Sequence, residues 1–168
     1  MPNVVLIGMP ACGKSTTGVI LAKTMRKSFI DTDLLIQERE DRALQDIINE
    51  SGNDYFREVE EDVLKNLITT NSVISTGGSA IYYPEAMENL KKNGTVVYLK
   101  LSLETIEERL NNIHTRGVTM KEGDTIASLY DERIPLYEKY ADVTVEADDY
   151  TVEETVEAII AGFDEFRK

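Results

Sequence analysis

The chain has one cysteine, one histidine, four prolines and no tryptophan among its 168 residues. A lone cysteine forms no internal disulfide, which fits a reducing compartment. One histidine without a cysteine cluster makes no zinc site. No apolar run exceeds a handful of residues, so the sequence offers nothing that would span a membrane. The first residues lack a basic stretch leading into an apolar one, and no secretory signal is expected. From these absences we expect a cytoplasmic protein. Positive charge is also scarce, with 18 Lys and Arg against 31 Asp and Glu and a formal net charge of −13. Such a field repels nucleic acid and anionic membranes unless a basic patch intervenes. No Lys/Arg cluster is present, so neither kind of partner is expected. Between positions 43 and 90 only Arg57 and Lys65 are basic, which makes each arginine worth attention.

What is present is ordinary for one globular domain: 42% hydrophobic and 29% charged residues, enough chain to bury its own core. No repeat, low-complexity tract or flexible linker divides it, and we expect a single-domain monomer. Short β-branched runs at 4–7, 28–30, 72–75, 95–101 and 143–145 alternate with segments of helical periodicity. The latter lie at 14–27, 34–39, 44–50, 54–69, 84–92, 103–112, 124–140 and 152–167. Strand–helix alternation of this kind predicts an α/β domain built on a parallel sheet. The stretch 111–124, "NNIHTRGVTMKEGD", has no clear period and is expected to be a lid.

The segment "GMPACGKST" follows the first β-branched run. Gly8 to Ser15 matches G-x-x-x-x-G-K-[ST], a pattern that chance would place in about one chain of this length in a hundred or fewer. Its glycines let amide N–H groups turn inward around a phosphate. Lys14 reaches the outer phosphates, Ser15 can ligate Mg²⁺, and a helix starting near Lys14 aims its positive end at the anion. The loop is expected to hold a nucleoside triphosphate. The guanine-reading [NT]-K-x-D pattern is absent, which disfavours a GTPase, and a small phosphate-loop protein with an arginine-bearing lid reads more naturally as a small-molecule kinase. Cys12 sits beside the expected helix N-terminus, a setting that lowers a thiol pKa, although small residues are common fillers of such loops.

"FIDTD" places Asp31 and Asp33 at the carboxyl end of the second strand, where open α/β sheets bind ligands. Strand alternation predicts that both carboxylates face the same way. One can support Mg²⁺ and the other can orient an acceptor hydroxyl or take its proton; alternatively, Asp33 simply caps the following helix. Arg57, in "YFREVEED", either pairs with Glu60 or Glu61 on a helix surface or aims at a substrate carboxylate. The glycines of "STGGSA" either bring backbone close to a ligand or only turn the chain. Arg116 and Arg133, in the expected lid and in "ERIPLYEKYAD", can each be ordinary solvated charges.

Taken in order and spacing, "GMPACGKST", "DTD", "FREVEE", "TGGSA" and "RIPLYEKYAD" resemble the shikimate kinases over nearly the whole chain. The resemblance implies a nucleoside monophosphate kinase-like fold with a five-stranded parallel sheet in the order 2-3-1-4-5, flanked by helices. It also implies transfer of the ATP γ-phosphate to the 3-hydroxyl of shikimate with Mg²⁺. By that resemblance Gly8, Ala11, Cys12, Gly13, Lys14, Ser15 and Thr16 hold the nucleotide, Ser15 and Asp31 serve the metal, and Asp33 binds the acceptor hydroxyls and acts as base. Arg57 and Arg133 match the pair that clamps the acceptor carboxylate, with Glu60 beside them and Gly77, Gly78 and Ser79 lining the pocket. Arg116 matches a lid arginine over the transferring phosphate and Arg109 one against adenine. The chain departs from the family pattern on the acceptor side. Ser79 stands where a third glycine is usual, Arg116-Gly117-Val118 replaces R-P-L, and Ile48 stands near a position often aromatic. A kinase for a related hydroxylated acid, with Ser79 reading an extra polar group, and a non-catalytic nucleotide-binding regulator are the alternatives.

Overall fold

Residues 1–111 and 123–168 are described by the computed structural model. Five strands, β1 (Asn3–Ile7), β2 (Ser28–Asp31), β3 (Ser72–Ser75), β4 (Gly94–Lys100) and β5 (Val143–Glu146), pair in parallel in the order β2-β3-β1-β4-β5. The sheet order matches the sequence expectation. Every residue of the central β1 is buried, as a strand covered by helices on both faces requires, and its "VVLI" run supplies the apolar side chains for both. The register sets Leu6, Ser75 and Asp31 level across β1, β3 and β2. The carboxyl ends of three strands therefore finish together, and the chemistry-bearing loops leave from that edge.

Among the described residues seven α-helices flank the sheet: α1 (Lys14–Met25), α2 (Thr32–Glu40), α3 (Leu44–Lys65), α4 (Pro84–Lys92), α5 (Leu103–Asn111), α6 (Ile126–Tyr140) and α7 (Val152–Phe166). Helix α1 stops short of its expected end because Arg26 adopts a left-handed φ of 55° and turns the chain into β2. The two helical patterns at 44–50 and 54–69 form one element, α3, bent where Gly52 takes φ 89° and ψ 166°, a backbone that glycine reaches without strain. The main core gathers the sheet residues with Leu21, Met87, Ile106, Ile159 and others. A second, smaller cluster joins Ile36 of α2 to Ile47, Phe56 and Val59 of α3, with Ile48 packed against it. No helix among the described residues is long and apolar enough to cross a membrane. The expected lid falls mostly outside the described residues: Asn111 closes α5, and Gly123 and Asp124 lead into α6.

Candidate active site

Chain leaving β1 wraps into a loop and re-enters helix at Lys14. Gly13 stands at the start of α1 with φ 92° and ψ 17°, and no side chain caps the helix. That left-handed turn is cheap only for glycine. It leaves the first amides of α1 to be satisfied by an anion. Gly8 abuts the Leu99 carbonyl and the Cys12 thiol, and Ala11 holds a φ of 66°. The Lys14 ammonium is drawn back over the loop, donating to the carbonyls of Gly8 at 2.8 Å and Met9 at 2.9 Å. Thr16 is exposed on the first turn and lines the cavity in front of the loop. Cys12 is only 6% exposed and belongs to the main core. Its thiol packs against Gly8 from within and lies 3.5 Å from the Lys14 ammonium. Arg109 of α5 donates to the Ala11 carbonyl at 3.1 Å, so it lies across the loop.

The two aspartates do not follow strand alternation. The strand ends at Asp31 and the chain is helical from Thr32, so Asp31 is the N-cap of α2 and accepts from the Asp33 amide at 2.9 Å. The cap is Asp31, not Asp33. The second Asp31 oxygen accepts from the Ser15 hydroxyl at 3.1 Å, and Ser15 also meets Ser75 Oγ at 3.3 Å. These are hard oxygen donors at the mouth of a phosphate loop, and they fit Mg²⁺ held by few protein groups plus phosphate oxygens and water. Among the described residues no cluster of three or more His, Cys, Asp or Glu could cage a metal without that help.

In front of the loop opens a cavity of about 390 Å³, lined by Gly13, Lys14, Asp33, Glu60, Gly77 and Arg133 among others. Ser15, Thr16, Gly78 and Ser79 also face it. Gly77 is needed for a close approach, since a Cβ there would come within 2.8 Å of Glu60 Oε2 and 3.0 Å of Asp33 Oδ1. Arg133, only 2% exposed, donates through Nε to the Tyr82 hydroxyl at 3.3 Å and lies over that ring at 5.4 Å. Tyr137, one turn later on α6, donates to the Gly78 carbonyl at 2.6 Å and stacks on Tyr98. Phe56 of α3 also lines the cavity. The sequence reading did not single it out, and it also belongs to the smaller apolar cluster.

Arg57 is not among the residues lining this cavity. It is half-buried on α3 and lines a second cavity, of about 350 Å³, with Ser51, Gly52, Asn53 and Asp54. Among the described residues no salt bridge ties it to Glu60 or Glu61, so the surface pairing that the spacing allows is not formed. Arg116, with His114, Gly117 and Val118, lies outside the described residues.

Glu60 is 1% exposed and accepts hydrogen bonds from the hydroxyls of Ser79 and, at 2.8 Å, Tyr83. Burial pushes its carboxyl up to about 7. The two hydroxyl bonds pull against that rise, neighbouring Asp33 adds to it and Arg133 offsets it. Between pH 4.5 and about 7 the folded chain therefore holds a proton that the unfolded chain has released. The group's contribution to stability is greatest at the acid end of this window and fades as pH rises through it. Relative to Glu60→Gln, the wild type should lose about 3 kcal/mol across the window, as measured by urea unfolding over a pH series.

The sequence profile of the family described as "Shikimate kinase" matches residues 10–163. The chain is 44% identical over 144 residues to a shikimate kinase of Clostridium botulinum (strain ATCC 19397 / Type A), covering 83% of this chain and 84% of that protein. It is 37% identical over 161 residues to a shikimate kinase of Sulfurihydrogenibium sp. (strain YO3AOP1), covering 95% and 96%. The solved shikimate kinase of Acinetobacter baumannii in complex with shikimate superposes with a TM-score of 0.90 at 29% identity, covering 98% of this chain and 94% of that one. By profile, by sequence over most of its length and by fold, this chain belongs to the shikimate kinase family.

Proposed function

We propose that shikimate sits in the cavity between the phosphate loop and Arg133, with its carboxylate towards Arg133 and its hydroxyls towards Asp33. The chain is an ATP-dependent phosphotransferase using Mg²⁺, a shikimate kinase that moves the γ-phosphate of ATP to the 3-hydroxyl. The observation that carries the placement is a single cavity lined by Lys14, Asp33 and Arg133 together. In this reading the loop amides and Lys14 hold the phosphates, Arg109 steadies the loop by its bond to Ala11, and Asp33 takes the proton of the attacking hydroxyl. Mg²⁺, bound near Ser15 and Asp31, would neutralise charge on the phosphate oxygens. Positioning and charge neutralisation supply most of the rate in such a transfer. Arg57 adds positive charge from the flank of α3. Arg116 and the segment around it are assigned to a lid that closes over the phosphates and excludes water. We assign the chain to the cytoplasm as a monomer acting on small molecules rather than nucleic acid, a reading that its net charge of −13 supports. The Ser79 hydroxyl is given to Glu60, which favours shikimate over an acid with an extra polar group for Ser79 to read.

A coupled assay of ADP release tests this reading. Release should depend on shikimate, with little response to other hydroxylated carboxylic acids. Release driven by another such acid and not by shikimate would overturn the assignment.

A further inference from the structure

The wall of the cavity around Glu60 contains an arrangement that the transfer chemistry does not by itself require. Two hydroxyls from different parts of the chain, Ser79 after the glycine turn and Tyr83 at the foot of α4, donate to the same oxygen, Oε1. The other oxygen, Oε2, is turned to the point beside Gly77 that Asp33 Oδ1 also approaches. A carboxylate buried to this degree normally spreads its hydrogen bonds over both oxygens. Here both of these donors are spent on one oxygen, and the second lies beside the cavity.

We propose that Ser79 and Tyr83 are positioning residues that lock Glu60 with Oε2 presented to the acceptor, so that Glu60 and Asp33 together receive the substrate's hydroxyls. This rests on the placement of shikimate proposed above. The lock acts through a charge-assisted pair of bonds that favour ionised Glu60. The groups facing Glu60 are Asp33 from α2, Arg133 from α6, the two hydroxyls and, against Tyr83, Arg57 from α3 itself. Burial disfavours the ionised form most and the two hydroxyls are the main groups opposing it, while Asp33 adds to the rise and Arg133 offsets it. Ser79 is 6% exposed with φ −95° and ψ 2°, a backbone that alanine accepts, so removal of its Oγ subtracts the bond without straining the turn.

The test uses Ser79→Ala and, from the other side of the same oxygen, Tyr83→Phe. Two readouts are taken on the full chain. The first is the Glu60 titration, followed by carbon-13 NMR of labelled glutamate carboxyls without ligands and assigned with Glu60→Gln. Each variant should raise the Glu60 midpoint by about one pH unit, the worth of one hydrogen bond to a charged group. The second is the pH profile of kcat/KM for shikimate, whose acid limb should move to higher pH by the same amount, while KM for ATP stays within about twofold. An unmoved midpoint in both variants, or a loss of activity equal at every pH, would overturn the proposal and leave Ser79 as packing alone. A raised midpoint in a protein whose ADP release ignores shikimate would uphold the lock on Glu60 and refute the substrate instead.

Discussion

Asp33→Asn is expected to lower kcat by about 10²–10⁴-fold, the range spanned by removal of a general base, with KM for ATP nearly unchanged. The separation follows from where the two aspartates stand. Asp31 is bonded to Ser15 and caps α2, which puts that carboxylate at the phosphate end of the site. Asp33 enters α2 through its backbone amide, which the amide variant keeps. Its carboxylate faces the cavity across Gly77, beside Glu60. Asparagine has nearly the same shape, so packing against Gly77 survives and only the capacity to accept a proton is lost. Steady-state kinetics in both substrates measures it. A drop in kcat below about tenfold would remove Asp33 from the role of base, and an equal loss of ATP affinity would place it at the wrong end of the site.

Arg133→Met is expected to raise KM for shikimate by about 10²-fold or more, without lowering the melting temperature. Arg133 is a full charge at 2% exposure whose partners include the Tyr82 hydroxyl and ring and the Tyr137 hydroxyl. Among the described residues no salt bridge reaches it. A guanidinium held out of water without a bonded carboxylate costs the fold free energy, and its replacement by an apolar side chain of similar length is commonly neutral or stabilising. Arg133 is therefore worth more to an incoming anion than to the folded chain, because a carboxylate arriving there finds a desolvated partner. Loss of one member of such a buried pair costs about 2–5 kcal/mol of binding. Kinetics in shikimate, nucleotide titration and a thermal melt separate the three quantities. A fall in melting temperature with KM unchanged would reassign Arg133 to the core.

The fold was legible because its signals are local. β-branched runs mark all five strands, and the phosphate loop declares the end of β1 and the start of α1. The gap between the helical patterns at 44–50 and 54–69 falls where the structure bends α3 at Gly52. The acceptor side was less legible, since its contacts join distant positions. Ser79 finds Glu60 19 residues away, Tyr83 finds it 23 away, and Tyr137 reaches Gly78 across 59. No spacing rule connects such pairs. The aspartates misled for a different reason. Alternation holds only while the chain stays extended, and it turns helical at Thr32, so a carboxylate read as a neighbour on one strand face is a helix cap instead. Phe56 was hidden by its own double use, since burial and cavity lining demand the same apolar ring.

The small apolar cluster of Ile36, Ile47, Phe56 and Val59 stands apart from the residues packed on the sheet. Two packing clusters of unequal size, linked through α3, imply two rungs of opening, the lesser one available without melting the sheet. Asp33 and Glu60 stand on the helices of the weaker rung, whereas Arg133 and the phosphate loop are held by the stronger. Warming or mild denaturant should blunt discrimination among acceptors while the nucleotide is still firmly held.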